Sequence, residues 1–109
     1  KDRRVCSHPR CTGFKPCGGD KPVITMTLDE YEVIRLIDLE GLTQEQCAEQ
    51  MEVARTTVQA IYARARKTLA QCIVEGHSLQ ISGGDVRICE YRNPTCSKGC
   101  CRWKNSQIE

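Results

Sequence analysis

The sequence predicts a mainly α-helical fold. A three-helix core containing a helix-turn-helix is followed by a C-terminal β-hairpin, and both termini are irregular and cysteine-rich. Three observations carry this reading. Two capping boxes, TLDE from Thr27 and TQEQ from Thr43, each open an apolar stripe at helical spacing. A longer stripe starts beside Ala54, after a break at Met51-Glu52-Val53 that holds no glycine or proline. Gly83-Gly84 then separates two short alternating segments, the pattern of a tight hairpin.

Residues 1–22 form the first segment. Pro9, Gly13, Pro16, Gly18 and Gly19 break any regular element there, and Cys6, Cys11 and Cys17 are spread through it. Val23 to Met26 reads as a short extended piece. Thr27 caps the first helix, Glu30 closes the box, and Met26 and Tyr31 stand at the positions of a hydrophobic staple. Tyr31, Ile34 and Ile37 make its apolar side, Val33 and Leu36 widen it, and Gly41 stops it after Leu39. Thr43 and Gln46 repeat the device, with Leu42 and Cys47 as staple. This second helix is short, ending near Gln50, and Met51 and Val53 are placed to fill the corner.

The third helix runs from Ala54 or Arg55 to about Val74, with Gly76 as its stop. Val58, Ile61, Tyr62, Ala65, Leu69, Cys72 and Ile73 follow the buried stripe. In the expected hairpin, Ile81 faces Val86 and Leu79 faces Ile88, so four apolar side chains share one face. Residues 90–109 are again irregular and hold Cys96, Cys100 and Cys101. The chain of 109 residues thus divides into a basic arm (1–22), a helix-turn-helix domain (23–77), a hairpin (78–89) and a tail (90–109).

Charge is unevenly distributed. The net +2 resolves into +4 over residues 1–22, −7 over 23–53, +3 over 54–77 and +2 over 78–109. A basic arm and a basic third helix suit a polyanion. In a helix-turn-helix the first helix braces against the backbone and the second enters the major groove. Outward positions on the third helix are Arg55, Thr56, Thr57, Gln59, Ala60, Ala63, Arg64 and Lys67. Arg55 and Gln59 can bond guanine and adenine edges, threonines can meet a thymine methyl, and Arg64 and Lys67 suit phosphates. Thr43 and Gln44 open the second helix, whose amide end favours a phosphate. The expected partner is double-stranded DNA, and a homodimer is expected from the pairing of half-sites.

The segment MTLDEYEVIRLIDLEGLTQEQCAEQMEVARTTVQAIYARARKTLA resembles the small predicted DNA-binding proteins of the uncharacterised family "domain of unknown function 134". RRVC and FKP upstream, and GHSLQISGGDVRIC downstream, are similar to that family's layout. The resemblance implies a helix-turn-helix like region 4 of sigma factors, sequence-specific DNA binding and transcriptional regulation. By position, Arg55, Thr56, Thr57 and Gln59 would meet base edges. This chain departs from the pattern at Ala54, where a serine or threonine cap is usual, and at Glu52, where a turn glycine is usual. Glu52 is therefore expected in a left-handed or strained backbone.

Nine cysteines, an odd count without a signal-peptide pattern, fit poorly with complete disulfide pairing and point to a reducing compartment, here the cytoplasm, and to metal or redox work. Cys47 and Cys72 lie on helix stripes and read as small core residues. The other seven flank the helical unit. Cys6, Cys89, Cys96 and Cys100 are the expected ligands of a four-cysteine metal site, with Cys101, Cys11 and Cys17 as alternates. Soft thiolates suit zinc first, or an iron–sulfur cluster. Some relatives in this family are joined to a domain similar to iron–molybdenum cofactor assembly proteins, so the alternative is a metal- or iron–sulfur-sensing or carrier protein that contacts a cofactor-assembly protein. A sigma-like factor docking on RNA polymerase is the other, and the acidic residues 23–53 would suit such a protein partner. No segment has membrane length. No phosphate loop, HExxH motif or helix-start CxxC supports an enzyme.

Overall fold

Both capping boxes start helices at the expected threonines. In the computed structural model, which describes residues 3–19 and 21–89, Thr27 precedes α1 (Leu28–Val33) and Thr43 precedes α2 (Gln44–Met51). Glu30 Oε1 accepts the Thr27 amide at 3.0 Å. At Thr43 the exchange is reciprocal: the Gln46 amide donates to Thr43 Oγ1 at 3.1 Å, and the Thr43 amide to Gln46 Oε1 at 2.9 Å. The long third helix, α3, spans Arg55–Glu75. Gly76 ends it with φ +76°, and the Gly76 and His77 amides both donate to the Cys72 carbonyl.

After Val33 the first helix widens. Ile34–Leu39 is π-helical, and the Glu40 amide reaches back to the Arg35 carbonyl at 2.9 Å. The apolar spacing in this stretch gives no sign of the wider turn. The wider winding leaves Val33 and Leu36 fully buried, with Tyr31, Ile34 and Ile37 only half-buried. The expected centre of that stripe is therefore displaced.

The expected hairpin does not form. The strands are β1 (Arg3–Val5), β2 (Gly13–Phe14), β3 (Ile24–Met26), β4 (Leu79–Ile81) and β5 (Val86–Ile88). Strand β4 lies between β2, antiparallel, and β3, parallel. Strand β5 pairs instead with β1, parallel, in the register Val5 to Ile88. The reason lies in the glycines. The Gly83 carbonyl accepts the Leu28 amide at 2.9 Å, so it satisfies an orphan donor at the start of α1. Gly84, φ +104°, packs so close to Thr27 and Asp29 that a Cβ there would lie 2.9 Å from Asp29 Oδ1. The turn is held against the helix start and hands the chain from one sheet to the other.

Among the described residues, two apolar clusters hold much of the core, and Val5, Cys6 and Cys89 are buried as well. Val33, Leu36, Cys47, Ala48, Met51, Val58 and Ile61 fill the angle between the three helices. Met26, Ala65, Leu79 and Ile81 join α3 to the three-stranded sheet. Met51 is fully buried and Val53 packs at its edge, as a filled corner requires. Cys47 is core, and Cys72 packs against the second cluster. Ile73 departs from expectation: it is 79% exposed, because α3 outruns the core beyond Cys72. No helix among the described residues is long and apolar enough to cross a membrane.

Candidate nucleic-acid interface

The corner between α2 and α3 takes three residues, Glu52, Val53 and Ala54. Glu52 has φ 60° and ψ 46°, the left-handed conformation expected where glycine is usual. It permits the Val53 amide to reach the Ala48 carbonyl at 3.1 Å and the chain to reverse sharply. Ala54 is extended (φ −73°, ψ 152°) with no side-chain cap, and its carbonyl takes the Thr57 and Val58 amides.

Two arginines outside the helices brace this corner. Arg4 of β1 is buried and donates to the Gln50 carbonyl at 2.9 Å, closing an orphan acceptor in the last turn of α2. Arg87 of β5 pairs with Glu52. Sequence reasoning assigned neither role. The sequence carries no local signal for either, since these partners lie 46 residues from Arg4 and 35 from Arg87. Arg3 likewise turns to Asp29 (3.8 Å) and Asp85 (3.7 Å), so part of the basic arm faces inward.

On α3, Arg55, Thr56, Gln59, Arg64 and Lys67 are exposed and Thr57 is half-buried, while Val58, Ile61 and Ala65 point into the core. Ala60 and Ala63 are exposed between the longer side chains. Thr43 is exposed and Gln44 half-buried at the start of α2. Arg64 also lies 3.3 Å from Glu30, and Arg66 stands 3.8 Å from Asp38 and over the Tyr62 ring. Tyr62 Oη donates to Asp38 at 2.7 Å, which holds that phenol above its usual pKa. These contacts tie α3 to the first helix. They neutralise Glu30 and Asp38, acids that would otherwise oppose a polyanion.

Behind the corner lies a buried ionic group. Glu32 accepts two bonds from Arg35, at 3.0 and 2.9 Å, and one from the Cys6 amide at 3.1 Å. Of the expected metal ligands, the structure brings Cys6 and Cys89 together: Val5 pairs with Ile88, and the Cys89 amide donates to the Val5 carbonyl at 2.7 Å. Both are buried. Cys11 and Cys17 are exposed on the arm. Cys96, Cys100 and Cys101 lie outside the described residues. Among the described residues, no three metal-ligating side chains converge.

Similar proteins share most of the chain. A UPF0251 protein of Desulfitobacterium hafniense (strain Y51) is 53% identical over 103 residues, covering 92% of this chain and 82% of its own. A UPF0251 protein of Halothermothrix orenii is 44% identical over 91 residues, covering 81% of this chain and 67% of its own. A UPF0251 protein of Thermoanaerobacter pseudethanolicus is 43% identical, covering 81% of this chain and 77% of its own. No solved structure matches. The family described as "Protein of unknown function DUF134" matches residues 1–89, which take in the arm strand, the braced corner and the strand β5 that supports it, and the chain belongs to that family.

Proposed function

We propose that this protein is a sequence-specific, duplex-DNA-binding transcriptional regulator with a sigma-region-4-like helix-turn-helix. One observation carries the reading: Arg55, Thr56 and Gln59 project from a helix whose other face is locked into the core, beside a corner braced from two strands. A base-reading side chain needs that fixed origin, since a bidentate contact tolerates little displacement. The exposed alanines between these side chains allow close approach to a groove wall. The test is binding to randomised duplexes followed by titration with salt. Arg55→Ala should relax preference at one position and cost about 1–3 kcal/mol there. Lys67→Ala should weaken all duplexes alike and lower the salt slope by about 1. No binding to any duplex at low salt would end this reading.

A second reading concerns metal. The meeting of buried Cys6 and Cys89 supports a soft-metal seat, zinc or an iron–sulfur cluster, with further thiolates from the cysteines of residues 90–109. Metal analysis and the visible spectrum of anaerobically purified protein test it. Unchanged metal content in Cys89→Ser would remove the assignment.

A further inference from the structure

Cys6 and Cys89 follow the last paired residues of β1 and β5, so they stand at the next register position of a parallel ladder. Adjacent strands lie about 4.7–4.9 Å apart, inside the roughly 4.4–6.8 Å separation of α-carbons that a disulfide spans. Register partners project to the same side of a sheet. Both side chains are enclosed, Cys6 at 1% exposure and Cys89 at 4%. The Cys89 sulfur also accepts a bond from Arg4 at 3.1 Å. The same guanidinium, through its other nitrogen, holds the Gln50 carbonyl at 2.9 Å. One rigid planar group thus spans the thiol pair and the last turn of α2, two residues before the left-handed Glu52.

We infer that Cys6 and Cys89 are an oxidisable dithiol and that Arg4 carries its state to the helix-turn-helix corner. This deepens the DNA-binding reading and rests on it for its consequence, though not for its chemistry. The oxidant is a small peroxide, which suits a pair this enclosed. With hydrogen peroxide, each thiol gives up its hydrogen, the two sulfurs join, the O–O bond takes two electrons, and two waters leave. Bridging draws the Cys89 sulfur toward Cys6 and off Arg4. A buried guanidinium that loses an acceptor is costly to hold in place, so Arg4 moves and the Gln50 carbonyl loses its cap. The corner that sets the direction of α3 loosens. Arg4 is a positioning residue, with no contact to DNA required of it.

The test uses the full chain, reduced and stripped of metal with a chelator, then treated with hydrogen peroxide. Trypsin cleaves after Arg4, Arg10, Arg87 and Arg92, leaving Cys6 and Cys89 each as the sole cysteine of its peptide. The expected product is peptide 5–10 joined to peptide 88–92. Amide exchange at residues 51–53 should then quicken by about tenfold, the worth of one hydrogen bond to a charged group. Duplex affinity should fall in the oxidised form. Cys6→Ser keeps Cys89 and Arg4 in place, and its corner should exchange alike with and without peroxide. Arg4→Met should still form the bridge, yet its corner should be loose in both states, a loss of response that a merely structural arginine would not produce. Bridging of Cys6 or Cys89 to other cysteines, or exchange at the corner unmoved by the bridge, would overturn the inference. Reduced protein that binds no duplex, but shows the bridge and the exchange change, would instead count against DNA binding alone.

Discussion

Among the described residues, Glu52 is the one non-glycine residue with positive φ. An L side chain in that conformation costs roughly 1–2 kcal/mol, and an exposed ion pair such as that with Arg87 returns ~0.2–1 kcal/mol. The ion pair offsets part of that cost, and the roughly 0.5–1 kcal/mol of chain entropy that a glycine would lose on folding offsets most of the rest. Glu52→Gly should therefore change stability little in the intact chain, and stabilise by about 1 kcal/mol when Arg87 is already methionine. Urea unfolding of the four proteins in the cycle reads this coupling, and equal effects in both backgrounds would contradict it. Cys47 offers a second residue-level outcome. Burial, with Glu32 nearby, pushes its thiol up to about 12. At pH 8 iodoacetamide should label exposed Cys11 and Cys17 promptly and Cys47 only after unfolding, which peptide mass spectrometry checks. Helical spacing identified Cys47 as core, and the resemblance to a family whose turn glycine Glu52 replaces identified Glu52 as strained. Neither could find Arg4, whose partners Gln50 and Cys89 lie 46 and 85 residues away.

At the scale of elements, what was legible is what local chemistry decides. Capping boxes, helix-ending glycines and apolar periods gave the three helices their limits within a residue or two. The expected hairpin fails for the opposite reason. Gly83-Gly84 and the alternation around it fit a two-residue turn equally well whether or not β4 and β5 pair, and pairing is settled by distant strands β1, β2 and β3. The π-helical half of the first helix was likewise hidden, since apolar spacing separates 3.6 from wider windings poorly over six residues. The start of α3 yields a prediction. Ala54 already has the extended backbone of a cap, and what it lacks is the side-chain oxygen. Ala54→Ser should stabilise the protein by about 1 kcal/mol while leaving duplex preference intact. Thermal melts and the randomised-duplex selection measure the two halves of that statement. A changed preference would mean that Ala54 itself stands within the contact surface.

The whole molecule converts a lopsided charge pattern into a paired one. Acids of residues 23–53 meet bases drawn from the arm, from α3 and from β5: Asp29 with Arg3, Glu30 with Arg64, Asp38 with Arg66, Glu52 with Arg87. Glu32 and Glu40 share Arg35. The arm is therefore part of the fold and not only a basic extension, as composition alone suggested. Its first strand supplies Val5, fully buried, where β1 meets α1, α2 and β5. Its second strand supplies Phe14, 52% exposed at the sheet edge. These two apolar residues should respond oppositely to truncation. Val5→Ala opens a gap behind the braced corner and should cost about 2 kcal/mol, whereas Phe14→Ala, less enclosed despite its larger ring, should cost under ~1 kcal/mol. Because Arg4 adjoins Val5 in the strand that caps α2, Val5→Ala should also weaken duplex binding under conditions where the protein is still folded. Chemical denaturation and duplex titration of the two variants decide the matter. Should Phe14→Ala prove the more damaging to both, the arm acts through its exposed edge and not through the strand that reaches the corner.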